Sequence, residues 1–148
     1  MNSNFVFLAN ACCTLYLVGL IWMVQCVHYK LLDRVGTDSF QQYEADHNRL
    51  ITPIVFVPML IELFTSIVLV AGNAPPWVPK WAAAAGLAAV ILIWLSTFFL
   101  QVPYHATLMQ GFNADAYQGL VTSNWIRTGL WSARGVLVAY LMFRGLRE

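Results

Sequence analysis

The sequence predicts an all-α integral membrane protein: an antiparallel bundle of four transmembrane helices with one amphipathic loop segment, forming a single domain over residues 1–148. Three observations predict it. Hydrophobic residues make up 59% of the chain and charged residues 10%, a balance too apolar for a water-soluble domain of this length. Four apolar stretches, about residues 5–27, 51–71, 81–102 and 125–143, are each near the ~20 residues that carry a helix across a ~30 Å hydrocarbon core. Only one connection, residues 28–50, is long and polar.

The first stretch follows "MNSNF", a flank without Lys or Arg, and is longer than the apolar region of a secretory signal. It is expected to be retained as a helix. Cys12, Cys13 and Cys26 all lie on it and are expected to pack as small residues without a disulfide. The strip "VHYKLLDRVGTDSFQQYEADHNR" is expected to be loop, with an amphipathic helix around residues 39–49 capped by Thr37, Asp38 or Ser39. In the second stretch, Pro53 and Pro58 should bend the helix and widen the bundle toward that strip, and Pro103 interrupts the end of the third. Small residues in "AAAAGLAA" permit close helix contact in lipid, and "GNAPPWVPKW" places Trp77 and Trp81 at a headgroup region. The net charge of +1 offers no basic surface for nucleic acid.

Four crossings place His28, His47 and His105 on one side of the membrane. Orientation stays open, because Lys30, Arg34, Arg49 and Arg127 on that side nearly balance Lys80, Arg144 and Arg147 on the other. Polar residues inside the spans fall into helical register. Gln25 and His28 share a face with Trp22; Thr97, Gln101 and His105 are spaced by four; Asn124, Arg127, Trp131 and Arg134 are spaced by three and four. Glu62, roughly 18 Å into its helix, and Arg134, roughly 15 Å along its own from the same side, are expected to pair, either as a fixed ion pair or with Glu62 handling a proton.

The three histidines could ligate a metal ion, with Glu44 or Asp46 adding a carboxylate, or His28 and His105 could hold haem b between them. "EADH" has the Glu-x-x-His spacing of di-iron bundles without the second copy such sites need, and no CxxCH is present for covalent haem. Interfacial histidines bonded to backbone or headgroups are the structural alternative. With Gln25, Tyr29, Glu62, Gln101, Tyr104, Asn124, Trp131 and Arg134 nearby in register, the histidine side is the candidate pocket. His28, His105 and Arg127 are its candidate catalytic residues.

The pattern "NWIRTGLWSARG", with Asn124, Arg127 and Arg134, in a short chain with four crossings, resembles small bacterial membrane proteins of the anthrone-oxygenase-like family. The resemblance implies oxygenation of an apolar aromatic substrate, with a cofactor-free route allowed, Asn124 and Arg127 in the pocket, and a bacterial inner membrane as the location. A mechanism fitting these residues packs a phenolic or quinone-like ring among Trp22, Trp125 and Trp131, gives the phenolic proton to His28 or His105, and stabilises the anion with Arg127. The competing reading is a non-enzymatic accessory subunit of a larger membrane complex, docked through the histidine-side loop. A transporter fits less well, since inverted repeats and multiple intramembrane charges are lacking.

Overall fold

The computed structural model describes residues 2–147 and is helical, with no strand among the described residues. Four long helices succeed one another: α1 (Ser3–Leu32), α2 (Thr37–Val70), α3 (Lys80–Leu108) and α4 (Ala114–Gly145). Helices α1, α2 and α3 are long and apolar enough to cross a membrane. Helix α4 is equally long, but Asn124, Arg127 and Arg134 lower its hydropathy, and all three are buried against the other helices. Helix α1 packs on α2 and α4, and α3 packs on the same two, so α1 and α3 oppose each other across a helical bundle.

The polar strip is helix rather than loop. Residues 37–49 continue without a break into the apolar stretch, so α2 runs for 34 residues and the connection shrinks to residues 33–36. No helix breaker stands between Thr37 and Pro53, and Asn48 and Thr52 each hydrogen-bond one turn back onto the helix. Gly36 occupies the cap position expected of Thr37, Asp38 or Ser39. Asp38 sits in the first turn, where its charge suits the helix dipole. At the other end Gly72, with φ +102°, lets the chain turn, and the Asn73 N–H reaches the Val68 carbonyl at 3.3 Å, closing a Schellman cap. Asn2 and Asn113 cap α1 and α4 by accepting from the N–H groups of Asn4 and Ala116.

Both α1 and α3 contain a π-helical turn, Val24–His28 and Thr97–Gln101. There the Tyr29 N–H bonds to the Val24 carbonyl and the Val102 N–H to the Thr97 carbonyl, five residues back. Each turn inserts one residue and rotates the helical segment C-terminal to it. Strict i, i+4 spacing through Thr97, Gln101 and His105 is therefore broken: Gln101 is buried, Thr97 and His105 only partly so. The three cysteines are free, with Cys12 on the outer surface. Small residues act as expected on α3, where Gly86 lets the Arg134 guanidinium reach its backbone carbonyl; a Cβ there would stand 3.0 Å from the Arg134 Nη1.

Candidate functional site

Deep in the bundle Glu62 and Arg134 meet as the sequence predicts, Nε to Oε1 at 3.0 Å, with side chains 1% and 3% exposed. Every helix contributes. Glu62 also accepts from Thr14 Oγ1 at 2.6 Å and Trp131 Nε1 at 3.1 Å, while Arg134 donates to Thr14, Asn10 and the Gly86 carbonyl. Asn10 Nδ2 lies within reach of the Glu62 carbonyl and the hydroxyls of Thr65 and Ser66. A buried ion pair with its remaining donors and acceptors met is a fixed structural element. Asn10 and Thr14, four apart on α1, are functional neighbours that sequence reasoning missed, although their spacing is the register signal that marks the other stripes.

Toward the polar end the three histidines do come together. The rings of His28 and His47 stack at 4.2 Å, and His47 lies 5.7 Å from His105, centroid to centroid. Glu44, fully buried, contacts His105 Nδ1 through Oε1 and also accepts from Asn48 at 2.9 Å. The other imidazole nitrogen, Nε2, lies 3.2 Å from the Tyr29 hydroxyl. An ionised carboxylate only accepts, so Nδ1 carries the proton and Nε2 is left to accept from Tyr29. Glu44, His105 and Tyr29 thus form a carboxylate–imidazole–phenol chain supplied by three helices.

This chain borders a cavity of about 340 Å³, within the range of small-molecule sites. The floor comes from α1 and α4, with Leu17, Ile21, Arg127 and Trp131, and the walls from α2 and α3, with Met59, Phe56, Trp94 and Phe98. Tyr29, His47, Gln101 and His105 form its polar end. Phe56 and Phe98 are half-exposed on the outer faces of α2 and α3, so the cavity meets the bundle surface between those two helices. Pro53 and Pro58 fall along the stretch of α2 that lines it.

Several expected pocket residues lie elsewhere. His28 stands behind His47, against Tyr29 and Tyr43, and does not line the cavity. Trp22 and Trp125, expected to hold a ligand ring, pack edge-to-face at 5.7 Å on the lipid-side surface, where Trp22 donates to Ser132; Trp94 takes the place assigned to them. The reason is direction: the inward face of α1 above Val24 is set by the π turn, which turns Trp22 outward and Tyr29 inward. Tyr104 packs away from the cavity onto α4, where Gly119 makes room for its ring; a Cβ at Gly119 would lie 2.5 Å from it. Glu62 and Arg134 belong to the deep cluster.

Gln25 and Asn124 form a brace behind the site. Asn124 Nδ2 donates to Gln25 Oε1 at 2.8 Å, Gln25 Nε2 donates to the Val121 carbonyl at 3.1 Å, and Gln101 Nε2 donates to Ser123 Oγ at 2.7 Å. Both glutamines sit in the π turns, which present them to α4.

The metal and haem expectations meet a geometric obstacle. His28 and His47 lie face to face, so their nitrogen lone pairs do not converge with those of His105, whose two nitrogens are already engaged. Among the described residues no cluster of three or more His, Cys, Asp and Glu side chains is arranged to hold a metal ion. Glu44 of the Glu-x-x-His pair turns to His105 instead. No protein-family model matches the chain, and neither a curated protein nor a solved structure was found to match it.

Proposed function

We propose that this chain is a small membrane-embedded oxidoreductase of the oxygenase type, acting on an apolar aromatic or quinone-like molecule that enters the cavity from the lipid between α2 and α3. In this reading α4 also crosses the bilayer, completing an antiparallel bundle of four transmembrane helices. A belt of exposed apolar residues that includes Trp125, Ile126, Val136 and Phe143 of α4 supports this. The observation that carries the functional reading is the Glu44–His105–Tyr29 chain at the polar end of an otherwise apolar cavity. A phenolic or enolic substrate gives its proton to the Tyr29 oxygen as Tyr29 passes its own to His105 Nε2, and buried Glu44 stabilises the imidazolium that forms. Dioxygen then reacts with the electron-rich ring anion, one oxygen atom entering as a carbonyl and the other leaving as water.

The test is oxygen uptake by the purified protein in lipid nanodiscs supplied with anthrone. Uptake and anthraquinone formation above protein-free nanodiscs are expected, with a loss on the order of 10²–10⁴-fold in His105→Ala. Uptake that is absent, or indifferent to His105→Ala, removes the proposal.

A further inference from the structure

The two buried arginines of α4 differ in one respect that bears on what the cavity holds. Arg134 has Glu62. Arg127 is 6% exposed, and among the described residues no carboxylate lies within 4.0 Å of it. Its protein contacts are one hydrogen bond from Nη1 to Asn124 Oδ1 at 3.3 Å and the face of Trp131, 5.1 Å away. Its Nε–H has no protein acceptor. A guanidinium taken out of water is costly unless an anion or a full set of acceptors replaces its hydration. Arg127 lines the 340 Å³ cavity, and so does Trp94, whose indole N–H is likewise buried without an acceptor. The opposite polar wall holds Tyr29 and His105, whose proton chain ends on Glu44.

We infer that the resident ligand is an apolar ring compound bearing an oxygen that is ionised in the bound state, with Arg127 as its counter-ion and Trp94 a second donor. This rests on the proposed reading of the cavity as an aromatic-ligand site and narrows it to acidic members: hydroxyquinones, or phenols and enols acidic enough to bind as anions. A neutral quinone would leave the guanidinium without its charge partner. The arginine also answers where the negative charge goes after proton transfer, which the Glu44–His105–Tyr29 chain does not.

The test compares 2-hydroxy-1,4-naphthoquinone, an anion at neutral pH, with its 2-methoxy ether, nearly the same shape but neutral. Binding is followed by tryptophan quenching in nanodiscs, with partition into protein-free nanodiscs subtracted. The acid should bind at least about tenfold more tightly than the ether, the margin expected of one hydrogen-bonded charge. Arg127→Gln should abolish that preference and Arg127→Lys retain most of it. Equal affinities in the unmodified protein overturn the inference while leaving the aromatic site standing, and need no variant to fold. A preference that survives Arg127→Gln also overturns it. If neither compound binds, the aromatic-site reading fails and takes the inference with it. Displacement of the hydroxyquinone by an equal concentration of laurate would overturn the ring assignment in favour of acyl-chain acids.

Discussion

Glu62 and Arg134 are held by donors and acceptors from all four helices, so each side chain is the other's only charged compensation for leaving water. Removing one partner leaves a buried charge unpaired. Glu62→Ala or Arg134→Ala should lower stability by about 3–5 kcal/mol, read as unfolding of the detergent-purified protein, and the double change to Met should recover part of that loss. Additive losses would contradict the pairing. Glu44 plays a different part, since it orients and charges His105 without closing a network: its Oε2 has no protein partner. Glu44→Gln keeps size while removing the negative charge, so anthrone-dependent oxygen uptake should fall on the order of 10²-fold or more with unfolding little changed. Gly119→Ala should cost about 1–3 kcal/mol by the same unfolding measurement, because the Tyr104 ring must move to admit the Cβ. The Glu62–Arg134 pair is legible in the sequence because one carboxylate and one guanidinium at matched depth in apolar helices have few other partners. The His105–Glu44 contact is not, because it depends on residues 37–49 being helix.

At the scale of elements, the π turns of α1 and α3 decide which side chains reach the cavity. Each adds one residue to its helix and rotates the segment beyond, bringing Tyr29 and His105 together from opposite corners of the bundle. Deleting Phe99, an exposed residue within Thr97–Gln101, should convert that turn to α-helix and rotate the following segment by roughly 100° relative to the rest. Helix content by circular dichroism should stay constant while naphthoquinone binding is lost. Retained binding would show that the turn does not set the site. Sequence periodicity at 3.6 residues cannot register such an insertion, which is why it spaces the stripe Thr97, Gln101 and His105 evenly and points Trp22 inward. Pattern reading identifies the right faces on α4, a helix without a π turn: Asn124, Arg127, Trp131 and Arg134 are all buried.

Across the whole molecule, three helices have the length and hydropathy of membrane spans, and α4 lies between α1 and α3 with its charges turned inward. If α4 crosses with them, the two termini lie on the same side of the bilayer. Reporter fusions at each terminus should then report the same compartment, whereas opposite compartments would mean three crossings. The amino-acid sequence by itself determined a helical chain with lipid-length apolar segments, the helix faces that carry polar groups and the end of the bundle at which the histidines gather. Those properties come from hydropathy and the helical repeat, which act locally. Only the tertiary structure decided that Glu44 joins His105, that His28 and His47 stack, that Trp94 replaces Trp22 and Trp125 beside the cavity, and that Arg127 has no carboxylate partner where Arg134 has one. Each of these depends on the rotation of one helix against another, fixed by π turns, proline positions and packing that no single helix encodes.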